Sequence, residues 1–299
     1  MSTDATLENR VAIITGAGRG IGAAIARLFA AQGAKVVLND LGANPDGTGA
    51  DAGPAQVIAD EINAAGGQAL ANGGDIADTT TGEELVRLAT EELGGLHIVV
   101  NVAGILRDKM IFNLAPEDWD AVVRVHMRGT YSTIRPASAY WREQRNPDGH
   151  YRIINFSSNS GLFGSAGQPN YAAAKMGIVG LTYSLARGLS RYGVTANAIA
   201  PSAMTRLVAG VLGDPEDEKF ADITPENIAP IIAYLAGTKS DWLTGRVIGA
   251  MGHNVSLYNN PEPIATVTTE GEWDLDALAA AVEESFRPLA DGLPGARYA

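Results

Sequence analysis

Short β-branched runs alternate with longer helical stretches along most of this chain, and that alternation constrains the fold before any single residue is considered. The runs at 11–14, 36–38, 97–100, 153–156 and 194–199 are dominated by apolar side chains at consecutive positions. Such strands are buried on both faces, as in a sheet covered by helices on each side. Between them, 21–31, 55–65, 83–92, 119–141 and 171–189 carry apolar side chains at helical spacing. Strands joined through helices cross over right-handed and lie parallel. A last run at 246–250 completes the sheet. The expectation is an α/β fold, one doubly wound domain over 1–258. Two polar stretches, 41–53 and 145–150, read as surface loops. From residue 259 a proline-rich turn leads into an acidic helix at 274–284, a C-terminal extension spanning 259–299.

Charge and cysteine usage narrow the partners. A formal charge of -12 over 299 residues argues against nucleic acid or an anionic membrane surface. With no cysteine, disulfides, thiolate catalysis and cysteine metal sites are excluded, which fits a reducing compartment and a cytoplasmic protein. No metal site is expected, and no apolar stretch is long enough to cross a membrane.

The chemistry concentrates at the ends of the strands. Gly16, Gly18, Gly20, Ile21 and Gly22, with Arg19 among them, join the first strand to the first helix. There the missing β-carbons admit a pyrophosphate, and the helix N-terminus offers amide donors and a positive dipole end. Asp40 ends the second strand, where a carboxylate accepts ribose hydroxyls and repels a 2′-phosphate, which favours NAD over NADP; a loop-starting cap is the other reading. Arg19 is the counter-evidence, since a cation there could pair with that phosphate. Asp75 and Ile76 sit where adenine would lie, and Asn101, Ala103 and Gly104 where ribose would lie; each could also be turn chemistry. Tyr171 and Lys175 stand four residues apart on a predicted helix, about 6 Å along its axis and on one face. An ammonium beside a phenol favours phenolate. Ser158, thirteen residues before the tyrosine, adds a hydroxyl for an alcohol or carbonyl oxygen.

Together these segments resemble the short-chain dehydrogenase/reductase family from about residue 11 to 251. The resemblance implies a Rossmann-type domain with a seven-stranded parallel sheet and helices on both faces. It implies Tyr171 as acid/base, Lys175 on the nicotinamide ribose and lowering the tyrosine's pKa, and Ser158 orienting the substrate oxygen. Pro201 and Thr205 match the segment closing over the nicotinamide, although Ser202 stands where the family usually has glycine. His126 occupies the place of the family's fourth catalytic residue, an asparagine that holds a relay water. Histidine titrates near neutrality and could keep that relay in altered form, or be a helix histidine satisfied by backbone. The motifs around 39–42, 104–109 and 124–126 look like the dehydrogenase region of the type 2 peroxisomal multifunctional enzymes, whose relatives oxidise (3R)-hydroxyacyl-CoA thioesters or hydroxysteroids.

These readings give an enzyme moving a hydride between a secondary alcohol and NAD, on a small-molecule alcohol or ketone. An NADPH-dependent 3-ketoacyl reductase and a non-catalytic dinucleotide-binding regulator are the alternatives. Residues 204–224 should cover the substrate, with Arg107 or Lys109 offered to coenzyme A phosphates. Helices 119–141 and 171–189 could pair across a two-fold axis to make a homodimer or homotetramer.

Overall fold

The computed structural model describes residues 6–51, 53–203 and 222–290. Its sheet is built from β1 (Val11–Thr15), β2 (Lys35–Asn39), β3 (Gln68–Asn72), β4 (Ile98–Asn101), β5 (Tyr151–Phe156), β6 (Val194–Ser202), β7 (Val247–Met251) and β8 (Asn254–Leu257). The spatial order is β3-β2-β1-β4-β5-β6-β7-β8. The helices around it are α1 (Gly20–Ala31), α2 (Gly53–Ala64), α3 (Thr79–Arg87), α4 (Pro116–Val123), α5 (Gly129–Gln144), α6 (Asn159–Phe163), α7 (Pro169–Leu189) and α8 (Ala229–Ala236).

The apolar runs serve two cores at once. Ala12 and Ile14 of β1 join Ile25 and Phe29 of α1 and Ile232 of α8 on one face. Val11 and Ile13 of the same strand join Leu85 of α3 and Ile134 and Trp141 of α5 on the other. Period-two geometry sends successive side chains to opposite faces, so a continuous run is what a doubly covered strand requires. Each fully buried Ile or Phe contributes roughly 1.5–3 kcal/mol relative to exposure. The chain order reverses between β1 and β4, and the crevice beyond the carboxyl ends of those strands is where open α/β sheets take ligands.

Three expectations are corrected. The sheet has eight strands rather than seven, because Gly252 adopts φ +52° and turns the chain back. Asn254–Leu257 then pairs antiparallel with β7, Met251 opposite Asn254. The helix expected over 119–141 is interrupted by a π turn at Arg124–Arg128, which buries His126. The 41–53 stretch is not a plain surface loop. Asp51 N–H donates to Leu41 O at 2.8 Å and Asn44 N–H to Thr48 O at 2.8 Å, closing a compact loop over 41–51.

Residues Met1–Tyr258 form one compact unit and Asn259–Ala299 a second. Within the second, α9 (Leu275–Phe286) begins at Asp274, whose carboxylate accepts from the N–H groups of Asp276 and Ala277. No helix among the described residues is long and apolar enough to cross a membrane.

Candidate active site

A cleft opens at the reversal between β1 and β4, and its two ends are built differently. At one end lies the glycine turn. Gly22 packs so tightly that a β-carbon there would fall 2.1 Å from Gly16 O, so only glycine lets α1 start this close to the strand end. No side chain caps α1, which leaves its first-turn N–H groups for a ligand. Asp40 stands opposite: Oδ2 accepts from Gly18 N–H at 2.8 Å and Oδ1 from Gly42 N–H at 2.7 Å. Asp40 thus braces two turns, as the cap reading expects, and also lines the cleft. Gly16, Arg19, Gly20, Ile21, Gly22, Asp75, Ile76, Ala103 and Gly104 line it too. Arg19 is exposed and pairs with no carboxylate among the described residues. Asp75 Oδ2 pairs with Arg124 at 2.7 Å, at the rim. Leu41, Asn44, Pro45 and Gly47 of the 41–51 loop form the wall on this side.

At the other end, strand β5 and helix α7 bring Ser158, Tyr171 and Lys175 together. Ser158 caps α6, its hydroxyl accepting from Ser160 N–H at 3.2 Å, and it lies near enough to the Tyr171 phenol to influence its charge. Ser157 is excluded as its rival, because its buried hydroxyl donates to Lys175 O at 2.9 Å. Lys175 is buried, its ammonium donates to Phe156 O at 2.8 Å and lies 5.4 Å from the centre of the Tyr171 ring. Burial lowers the Lys175 pKa to about 7. Burial also pushes the Tyr171 phenol up to about 12, with the Ser158 hydroxyl pulling it down and the Asp108 charge pushing it further up. The protein's own groups thus do not make Tyr171 a phenolate through Lys175, contrary to the simple expectation of an ammonium beside a phenol.

His126 meets this pair from the π turn. Its ring lies edge-on to Tyr171 with centroids 5.2 Å apart. Nε2 lies 2.9 Å from Ile105 O and 3.2 Å from Ile105 N, and the shorter contact makes it the protonated nitrogen. Nδ1 is buried with no hydrogen-bond partner. Burial, then the Lys175 charge, lower the His126 pKa to about 3, offset in part by the bond to Ile105. The expectation that it titrates near neutrality is therefore corrected: it stays neutral, as an acceptor. Gly104 makes the room, since a β-carbon there would lie 2.3 Å from His126 Cε1.

Some expected residues are not brought to the cleft. The Asn101 amide is used inside the sheet, donating to Asn155 Oδ1 at 3.0 Å and accepting from Thr133 at 2.7 Å. Gly18 acts through its N–H on Asp40 rather than on the cleft. Pro201 lines the cleft, and the Ser202 hydroxyl accepts from Asn159 Nδ2 at 3.3 Å. Thr205, and the cover expected over 204–224 up to residue 221, lie outside the described residues. Arg107 and Lys109, offered to coenzyme A phosphates, both pair with Asp118, at 3.3 Å and 3.1 Å. Sequence reading missed Asp108 and Asn170. Asn170, buried just before Tyr171, had a signal in the preference of short amides for helix starts. Asp108 had none, because nothing local ties it to residue 171.

Comparison with known proteins gives the family. A family model described as short chain dehydrogenase matches residues 10–211. The hydroxyacyl-CoA dehydrogenase ChsB1 of Mycobacterium tuberculosis is 41% identical over 292 residues, covering 94% of this chain and 89% of that protein. The peroxisomal multifunctional enzyme type 2 of Drosophila melanogaster is 42% identical over 228 residues, 76% of this chain but 36% of that longer protein. The crystal structure of a short chain dehydrogenase from Mycobacterium avium superposes with a TM-score of 0.82 at 42% identity, covering 93% of this chain and 95% of that one.

Proposed function

The chain belongs to the short-chain dehydrogenase family, and we propose that it oxidises the secondary hydroxyl of a hydroxyacyl thioester, or of a hydroxysteroid, with NAD. As a family member it is an oxidoreductase acting on CH–OH groups of a small molecule with a nicotinamide dinucleotide. The observation that carries the reading is the pair Tyr171 and Lys175 in the cleft that the glycine turn opens, with the Lys175 ammonium 5.4 Å from the centre of the phenol ring. The activity named for the Mycobacterium tuberculosis relative supports the thioester over the steroid.

The glycine turn and the start of α1 would hold the pyrophosphate, Asp40 the adenosine ribose, and Lys175 with Pro201 the nicotinamide half. Bound, the dinucleotide supplies the hydride acceptor and a cationic ring. In alcohol oxidation the Tyr171 oxygen takes the hydroxyl proton while Ser158 donates to the substrate oxygen. To take that proton Tyr171 must first be a phenolate; Lys175, anchored on Phe156 O, would offset its negative charge until the proton arrives and leaves a neutral phenol. On this reading His126 Nδ1, which is buried without a hydrogen-bond partner, would accept from a relay water through which the proton leaves. Tyr171→Phe is expected to lower turnover of 3-hydroxyacyl-CoA esters with NAD by roughly 10²–10⁴-fold. Near-normal turnover would remove the reading.

Arg19 favours a second reading, an NADPH-dependent ketoacyl reductase, because its guanidinium reaches the cleft unpaired among the described residues. Asp40 opposes it, and the ratio of dissociation constants for NADH and NADPH decides. Exposed Tyr131 on α5 and Met176 on α7 support pairing of two copies, a homodimer or homotetramer that light scattering would size. The absence of cysteine supports a cytoplasmic setting.

A further inference from the structure

A strip of chain just after β4, residues 105–107, is fastened on three sides. Ile105 is tied to the π turn through its carbonyl, which accepts from His126 Nε2–H at 2.9 Å. Leu106 N–H donates to Pro45 O at 2.9 Å, joining the strip to the 41–51 loop. Arg107 O accepts from the Asn170 amide at 3.1 Å. Asn170 also donates to Asp118 O at 3.2 Å, and its own oxygen accepts the Tyr171 N–H at 2.8 Å. The strip thus runs from the wall of the adenosine side to the first turn of the catalytic helix.

The Arg107 side chain adds a second fastening. Its Nε donates to Asp46 O at 2.8 Å and its Nη1 to Asp118 Oδ1 at 3.3 Å. A planar guanidinium holds two acceptors at a fixed angle, which a lysine cannot do. Its side chain is about three-quarters buried, at 25% exposure, so the fork is not a freely solvated pair. The Asp118 carboxyl sits below the usual carboxylate range because of Lys109 first and then Arg107. The loop it grips is rich in glycine, with Gly42, Gly47 and Gly49 all at positive φ, and such a chain loses much conformational freedom when ordered. Gly47 also seats against Ile105, where a β-carbon would come within 2.8 Å of Cδ1.

We propose that Arg107 is a positioning residue that clamps the tip of the 41–51 loop to the 105–107 strip. The adenosine-side wall and the helix start bearing Tyr171 are thereby held as one body before the dinucleotide arrives. This rests on the dinucleotide reading above. Pre-ordering a binding wall improves affinity by removing the cost of ordering it on binding. The effect must fall on ligands that reach the wall and spare those that do not.

The test compares NADH with reduced nicotinamide mononucleotide, which lacks the adenosine half, by fluorescence titration of the full chain. Arg107→Ala is expected to weaken NADH about tenfold and the mononucleotide less than about twofold. Asp118→Asn, which keeps the Asp46 contact, should shift NADH in the same direction by less, and it decides the matter if Arg107→Ala does not fold. Arg107→Lys should fail to restore the affinity. Unchanged NADH affinity in both Arg107→Ala and Asp118→Asn would overturn the proposal, as would equal weakening of the two ligands, which marks a general loss of structure. Wild-type protein that binds no NADH overturns the dinucleotide reading itself, and the proposal with it; wild-type binding with insensitive variants overturns only the clamp.

Discussion

The two ends of the cleft treat charge in opposite ways. At the catalytic end charge is penalised: burial brings Lys175 to about 7 and His126 to about 3, and lifts Tyr171 to about 12. At the glycine-turn end carboxylates are braced by partners, Asp40 accepting from two backbone N–H groups and Asp75 pairing with Arg124. The difference is physical. The nucleotide end has solvent and amide donors to support a carboxylate before any ligand is present. The Tyr171 end is buried, which keeps the phenol and the His126 ring neutral and leaves Lys175 only partly charged at neutral pH. One end braces its carboxylates in advance, and the other withholds charge through burial.

Lys175→Met breaks the comparison hardest. It should lower turnover on the order of 10²–10³-fold, the scale of losing an electrostatic group at a reacting centre. It should not lower stability at pH 7. The folded lysine loses its proton near pH 7 while the unfolded one keeps it to about 10.5. Between those values the unfolded chain binds more protons, so wild-type stability rises with pH through that window. The variant's denaturation curves should lack that rise. A variant that retains the slope would show that Lys175 is not a buried, discharged group.

Asp40→Ala probes the other end. Removing the carboxylate should raise the NADPH to NADH affinity ratio about tenfold, the scale of relieving one repulsion between like charges. It should also leave the Gly18 and Gly42 N–H groups without their acceptor, costing roughly 1–3 kcal/mol for each one kept from water. If specificity and melting temperature both stayed fixed, Asp40 would be neither recogniser nor brace.

His126→Asn is the mildest test, with turnover expected within about tenfold of wild type, since a neutral acceptor replaces a neutral acceptor. Its signature lies in acid. Folded His126 stays neutral down to about pH 3, whereas an unfolded histidine protonates below about 6.5. Wild-type stability is fully present above that upper value and falls as pH drops between the two, by about 1.4 kcal/mol per pH unit for one proton. Equilibrium unfolding at several pH values should show a shallower acid limb in the variant. An identical limb would mean the ring is solvated.

Much of this was legible in the residues. The β-branched runs announce a doubly covered sheet because a strand buried on both faces has no polar side to display. The Tyr171–Lys175 spacing and the glycine turn are local, so their geometry follows from helix and turn rules. What stayed hidden depends on distant chain. Asn101 is claimed by Asn155 and Thr133, partners 54 and 32 residues away. His126 is neutral because of burial that no spacing reveals. The 41–51 stretch has a loop's composition, and only Leu106 and Arg107 turn it into a wall. β8 was missed because its four residues, half of them polar, lack a run, and its turn is set by one glycine conformation.

The π turn at Arg124–Arg128 carries one further consequence. A π turn is one residue longer than the α turn it replaces, and each residue rotates a helix by about 100°. The cleft residue His126 and the core residues Ile134 and Trp141 of α5 are thus kept in phase by a single extra amino acid. A one-residue deletion there would leave every side chain chemically intact and still misalign the two faces. In this stretch the length of the chain, more than its composition, is the heritable instruction.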